Sequence, residues 1–376
     1  MRIAVNARLV LPGRMDGIGW FSYETIRRMA QAHPEHEFIL FYDRRSATHS
    51  IVLPNVRPVV LPPPARHPVL WWCFFEVSVT LALRFYHADV FLSPDGWMPL
   101  HTRVPILSVL HDLNFEHADD NLRRSHQRYM KRFFPRFAAR ATRLATVSEY
   151  SKEDIVHTYN IGREKIDVVY DGAHTAYQPL SATRQQEVRD QYTEGAPYFI
   201  FIGTILKRKN LTNLLRAFDR FKLQTGAPHK LMVVGARYWW GSELQEVTEH
   251  LQFAHDVIFF GRADADTLAL LLSSATGLAY VSLFEGFGIP ILEAFYAETP
   301  VVTSNCTSMP EVAGEAALQV DPNDVEQIAT ALVDLVSQPQ LRQSLIEKGR
   351  EQRRKFSWDR TSELLWNSLM KTLSAT

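Results

Sequence analysis

At 376 residues, with 46% hydrophobic and 22% charged side chains, the chain has the balance of a folded globular protein rather than a disordered or fibrous one, and its length suggests two domains. Its 41 Lys and Arg match 41 Asp and Glu, so no global charge draws it to nucleic acid. The two cysteines, Cys73 and Cys306, stand far apart in apolar surroundings, which argues against a disulfide framework or a zinc site.

The opening segment MRIAVNARLVL is broken by Asn6 and Arg8 before a signal-peptide core can form, so it reads as a first strand and the protein is expected in the cytoplasm. Short apolar runs then alternate with longer amphipathic ones, the βα rhythm of parallel sheets. Arg2–Val5, Phe38–Phe41, Val90–Leu92, Ile106–Leu110, Leu144–Val147 and Ile166–Val169 read as strands of a first half. After the first strand, Asp16-Gly17-Ile18-Gly19 precedes a helix expected to start near Phe21. Glycines there let backbone approach a phosphate, although a plain strand-to-helix turn accounts for them equally well. Residues 69–86 are apolar but carry Glu76 and Arg84, so a buried or interfacial helix is expected over a membrane span. His111 is the first polar residue where a strand emerges, placed to bond a sugar hydroxyl or phosphate with Asp112 beside it; a structural histidine satisfied by Asp112 is the alternative. Residues 119–143 hold eight basic side chains against two acidic ones, interleaved with Tyr129, Phe133, Phe134 and Phe137. Such a segment can lie on an anionic membrane surface. The alternative is a helix packed by its Phe residues and kinked at Pro135.

Residues 171–197 are polar and turn-rich and read as the hinge. Beyond it, Tyr198–Ile202, Leu231–Val234, Val257–Phe260, Gly277–Val281, Val301–Thr303 and Ala317–Val320 repeat the strand pattern. Ligands of open α/β sheets bind beyond strand carboxyl ends, and two motifs fall there. Lys207-Arg208-Lys209 precedes a helix expected near Leu211, and cations at a helix N-terminus call for a compensating anion; a diphosphate fits. Glu285-Gly286-Phe287-Gly288 follows the strand ending at Val281, Pro290 suits a first helical turn, and Glu293 is placed within that turn. The two carboxylates can accept hydroxyl pairs on a hexose and a ribose while helix N–H groups meet phosphate. Asp264-Ala265-Asp266 has the spacing of a metal-binding pair, but it opens a helix and reads as a cap. Ser357 is placed to cap a closing helix through Leu373.

Taken in order, the Gly17 loop, HDL at 111–113, TVSEYSKEDI at 146–155, GTILKRKN at 203–210, EGFGIPILEA at 285–294 and MPEVAGEAALQVDP at 309–322 resemble the retaining GT-B glycosyltransferases of glycosyltransferase family 4, particularly those of bacterial polysaccharide and lipid-linked glycan assembly. The resemblance implies two Rossmann-like doubly wound α/β domains facing across a cleft: an acceptor-side domain over 1–172, a linker over 173–196, a nucleotide-sugar-binding domain over 197–356 and a closing helix over 357–376. It implies that Lys209 with Arg208 neutralises the leaving diphosphate and that Glu293 binds the ribose. Glu285 with the backbone of Gly286, Phe287 and Gly288 would hold the transferred sugar, His111 would bind that sugar from the N-terminal side, and Gly17 and Gly19 would face the diphosphate. The implied reaction moves a hexose, mannose by similarity, from a GDP- or UDP-linked donor to a glycan or lipid-linked acceptor, with retention and without a divalent metal or other cofactor. Peripheral attachment to the inner face of the membrane would suit that role. Two departures stand out: Thr204 where many members have Arg, and Glu298 where a Gly usually precedes the TPVV strand. A GT-B epimerase or phosphorylase, and a non-catalytic sugar-nucleotide binder, are the alternatives.

Overall fold

The computed structural model describes residues 1–11, 13, 15–117, 124–236 and 241–375, with backbone alone at residue 46. The chain forms two compact units: one comprises Met1–His117, the described residues up to Gly172 and the C-terminal segment from Ser357, and the other Ala173–Phe356.

The first unit is built on a parallel sheet of β1 (Arg2–Asn6), β2 (Glu37–Tyr42), β3 (Val56–Val60), β4 (Val90–Ser93), β5 (Ile106–Val109), β6 (Arg143–Thr146) and β7 (Ile166–Val168), in the order β3-β2-β1-β4-β5-β6-β7. The strands read as continuous apolar runs because a parallel sheet is covered on both faces; Ile3, Phe38, Phe91 and Leu107 are fully buried. β3 was not anticipated, since Arg57 and Pro58 break its apolar run. Proline lacks the ladder donor and is tolerated at a sheet edge, which is where β3 lies. The C-terminal helix Trp358–Ser374 belongs to this unit, and Ser357 caps it by accepting from the Arg360 N–H at 3.2 Å.

The second unit repeats the plan with β8 (Tyr198–Ile202), β9 (Lys230–Val234), β10 (Val257–Gly261), β11 (Gly277–Tyr280), β12 (Val301–Ser304) and β13 (Leu318–Val320), ordered β10-β9-β8-β11-β12-β13. Its core is its own, with Phe199, Phe201, Leu214, Phe218, Phe221 and Leu332 at the centre. The segment expected to be turn-rich holds the helix Ala182–Thr193, capped by Ser181. Gln185 and Arg189 of that helix donate to the Ser273 and Ser274 carbonyls.

Two elements of the first unit bear on the membrane expectations. Residues Pro68–Phe85 form one helix with a wide π turn over Cys73–Val79, and Phe74, Phe75, Val79 and Leu83 lie in the core. The helix Arg124–Arg140 runs through Pro135. Its Phe134 and Phe137 are buried, and Tyr129 and Phe133 pack against the same core. The aromatic residues expected to meet lipid therefore face inward; residues 119–123 of that segment lie outside the described residues.

Candidate functional site

In each sheet the strand order reverses at one point, between β1 and β4 in the first unit and between β8 and β11 in the second. Loops leaving neighbouring strands in opposite directions open a crevice there. The candidate residues gather at these two points.

In the second unit the loop after β8 carries Lys207–Lys209 as a single 3₁₀ turn, and Asn210 follows in the left-handed region at φ +58°. Asn210 is anchored because its side-chain amide donates to the Val281 and Pro322 carbonyls at 2.9 and 2.7 Å. The loop after β11 carries Glu285. Lys209 Nζ donates to Glu285 Oε1 at 2.5 Å and to the Tyr280 hydroxyl at 2.8 Å, while Arg208 donates to Glu285 Oε2 at 2.9 Å and the Phe284 carbonyl at 3.1 Å. Lys209, Tyr280 and Glu285 are all buried. Burial by itself would raise the Glu285 carboxyl, but Lys209 and Arg208 outweigh it and hold it down to about 2. One carboxylate against two cations leaves the cluster with a net positive charge, suited to an anion.

The helix Ile289–Ala297 begins beside this cluster. Gly288 precedes it at φ +108°, a conformation that disfavours any side chain, and Pro290 occupies the first turn. The loop is pinned by the Ser308 hydroxyl, which donates to the Glu285 and Phe287 carbonyls, each at 2.9 Å. Glu293 falls in the second turn rather than the first, because the helix starts at Ile289. Burial pushes its carboxyl up to about 7, with a hydrogen bond from Tyr177 acting the other way. So two carboxylates eight residues apart hold opposite states: Glu285 is a permanent anion, and Glu293 is poised to titrate near neutrality.

In the first unit, Gly17 and Gly19 stand in the first turn of the helix Gly17–Ala32, which starts earlier than expected. Asp16 caps it and accepts from the Gly19 N–H at 2.9 Å. After β1, Arg8 pairs with Asp95, which follows β4, at 2.8 Å. His111 follows β5 and bonds the Pro94 carbonyl, not Asp112, at 2.8 Å through Nε2. A carbonyl only accepts, so Nε2 carries the proton and Nδ1 keeps its lone pair. Burial lowers the His111 pKa against the pull of Pro94, Asp112, Asp95 and Asp16, which favours the neutral ring. Asp112 instead bonds the Asn114 N–H at 3.0 Å.

Elsewhere, Asp264 accepts from the Thr267 N–H at 2.8 Å and caps the helix Ala265–Ser273. Glu298 adopts the left-handed conformation that a glycine would take, at φ +56°, and bonds Arg350 at 2.8 and 2.6 Å. Two site residues were missed by sequence reasoning. Tyr280 ends an apolar strand and reads as core, and Tyr177 lies in a segment read as turns.

Two doubly wound units, the second with a cation pair and two carboxylates at its switch point, define a GT-B glycosyltransferase. The chain belongs to the family 4 and group 1 glycosyltransferases: the Glycosyltransferase Family 4 model matches residues 15–177, and the Glycosyl transferases group 1 model matches residues 184–352. Among curated relatives, the chain is 28% identical over 364 residues to the O-antigen chain mannosyltransferase B of Escherichia coli, covering 92% of this chain and 93% of that one. It is 25% identical over 291 residues to the O-antigen chain mannosyltransferase RfbU of Salmonella typhimurium, covering 77% of each. Among solved structures, Anabaena HepE in complex with UDP and glucose superposes with a TM-score of 0.75 at 16% identity, covering 98% of this chain and 99% of that one.

Proposed function

We propose that the chain transfers mannose from a nucleotide-sugar donor to a growing glycan or lipid-linked acceptor in cell-surface polysaccharide synthesis, with retained anomeric configuration and without a divalent metal. The mannosyltransferase names of both curated relatives support the sugar and the O-antigen context. HepE, solved with UDP and glucose, supports a nucleotide-sugar donor.

The observation that carries the reading is the Lys209–Glu285–Arg208 cluster beside the helix Ile289–Ala297. As the glycosidic bond breaks, negative charge grows on the leaving diphosphate. Lys209, Arg208 and the free N–H groups of the helix, preceded by Gly286, Phe287 and Gly288, stabilise it. This cationic frame does the work that a bound divalent ion does in metal-dependent transfer. Glu293 takes the ribose hydroxyls, Glu285 takes hydroxyls of the transferred sugar, and in the first unit His111 Nδ1 accepts from a sugar hydroxyl. The N–H groups of Gly17 and Gly19 face phosphate, with the Asp16 carboxylate giving way as the cap.

The test is to titrate bare GDP and UDP into alanine variants and to measure transfer in EDTA. Lys209→Ala should lower turnover by roughly 10² to 10³, as loss of one oxyanion donor does. Glu285→Ala should cut turnover while holding bare-nucleotide affinity within a few-fold, because it removes an acid from a cationic site. Glu293→Ala should weaken nucleotide binding more than turnover, since the ribose is bound alike in ground and transition states. Loss of wild-type transfer in EDTA, or equal loss of nucleotide affinity in the Glu285 and Glu293 variants, would overturn the assignment.

A further inference from the structure

Nine large hydrophobic side chains are exposed among the described residues, and five of them, Val69, Trp72, Val77, Leu81 and Phe85, lie on the helix Pro68–Phe85. Their exposure runs from 45% at Trp72 and Val77 to 74% at Phe85. They recur at steps of three to five residues, the longest step falling in the π turn over Cys73–Val79, so they share one stripe along the helix. The opposite side carries Phe74, Phe75, Val79 and Leu83, each at most 1% exposed in the core of the first unit. That division decides how the helix can meet a bilayer. Its length and hydropathy would suit a span, but spanning would strip those four residues out of the core. Lying flat in the headgroup layer needs only the outer stripe.

The charge around the stripe is of one sign. Arg66 precedes the helix and Arg84 stands in its last turn, both exposed. Its one acid, Glu76, has a side chain only 6% exposed. It is committed to the Leu100 N–H at 2.8 Å and the His101 ring at 2.8 Å. Beside the stripe packs the helix Arg124–Arg140, whose His126 and Tyr129 rings meet Trp71 at 4.7 and 5.5 Å. This neighbour exposes Arg124, Arg128, Lys131, Arg132 and Arg136 while its aromatic residues face the core. The apolar and cationic parts of the surface therefore come from two adjoining helices.

We infer that this face of the first unit docks on an anionic phospholipid leaflet, with Val69, Trp72, Val77, Leu81 and Phe85 entering the boundary between headgroups and acyl chains and the arginines of the helix Arg124–Arg140 resting on lipid phosphates. Charge complementarity selects this occupant: a second copy of the chain would set cationic helix against cationic helix, whereas an anionic leaflet meets both the stripe and its border. The inference stands on the first unit and does not depend on the donor-site reading.

The experiment is flotation of the full chain with vesicles of phosphatidylcholine alone and with vesicles in which part of it is replaced by phosphatidylglycerol. Binding is expected to the mixed vesicles only and should fall as salt is raised. The double variant Leu81→Ser, Phe85→Ser should lose more than about tenfold in binding through lost apolar burial. Arg128→Ser and Arg132→Ser should each lose about fivefold. All these residues face solvent, so the variants should melt with wild type, and their nucleotide affinity should be unchanged. Equal binding to neutral and mixed vesicles overturns the inference, as does undiminished binding by the double variant. So does a concentration-dependent dimer in lipid-free buffer that the double variant abolishes, because the stripe would then belong to a second copy.

Discussion

Glu293 is the residue whose chemistry is set most narrowly by its surroundings. Burial raises its carboxyl to about 7, so the folded protein keeps a proton that the unfolded chain releases near the usual carboxylate range. Its contribution to stability is therefore full below that range and is lost as pH rises toward about 7. Ligand binding runs the other way. Two ribose hydroxyls need an acceptor at each carboxylate oxygen, and the protonated acid offers one fewer. Under the proposed role, nucleotide affinity should fall as pH drops below about 7, and binding near neutrality should release a proton. Titration calorimetry in buffers of different ionisation enthalpy measures that proton directly. Glu293→Gln should bind more weakly, with no proton released and a flat profile across neutrality; proton uptake, or the same profile in the variant, would contradict the role. Glu285 is the contrast. Held down to about 2 by Lys209 and Arg208 against its burial, it supports the fold at every pH above the usual carboxylate range and loses that support as acid is added below it.

At the scale of elements, nearly all the strands were legible, because strands covered on both faces must be apolar along their whole length, as Tyr198–Ile202 and Val301–Ser304 are. What escaped had a physical reason in each case. β3 carries Arg57 and Pro58, which an edge strand tolerates and a sequence pattern does not advertise. The helix Ala182–Thr193 buries only Val188 and Thr193, so it lacks the apolar stripe that marks a helix. In the site, cations and carboxylates were legible from their places at strand ends. Tyr280 and Tyr177 were not, since what they do depends on partners far away in sequence. The outer stripe of Pro68–Phe85 was hidden because an apolar helix does not reveal from its sequence which side meets the core. Glu298 shows a local rule overridden. It closes the helix Ile289–Ala297 in the left-handed region, which costs a non-glycine residue roughly 1 kcal/mol, and it bonds Arg350 in return. Glu298→Gly removes that strain but gives up the pair, worth about 0–1 kcal/mol, and loosens the unfolded chain by about 0.4–1 kcal/mol. It should therefore be close to neutral. Glu298→Val places a β-branched residue in the same conformation and should cost roughly 2 kcal/mol. Urea denaturation of the two variants tests this; a Val variant as stable as the Gly variant would show that the backbone conformation is not what constrains the site.

At the scale of the whole molecule, the first unit is not contiguous in sequence. The chain leaves it at Gly172 and returns at Ser357, and the two crossing points touch. A Cβ on Gly172 would lie 2.4 Å from the backbone nitrogen of Trp358, so no larger residue fits there. Close by, the Thr361 hydroxyl donates to the Tyr170 carbonyl at 2.5 Å, and Ser368 and Lys371 both bond Asp167 at 2.8 Å. The helix Trp358–Ser374 lies along the helix Gly17–Ala32 and buries Trp358, Leu365 and Leu369. At about 1.5–3 kcal/mol for each large apolar side chain, those three contribute roughly 5–9 kcal/mol, comparable to the whole stability of about 5–15 kcal/mol of an ordinary domain. The first unit therefore cannot be completed until the last residues of the chain are made, whereas the second closes its own core between residues 173 and 356. Truncation after Phe356 should abolish the thermal transition of the first unit and leave that of the second in place. Bare nucleoside diphosphate at 100 times its dissociation constant should still raise the remaining transition by about 2.7 kcal/mol. Gly172→Ala should weaken the first-unit transition alone, since its clash is with Trp358. Scanning calorimetry of the full chain, the truncation and the Gly172 variant, each with and without nucleotide, resolves these outcomes. A truncated chain that keeps both transitions would show that the helix is an accessory to the first unit. One that loses both together would show that the second unit does not stand on its own core.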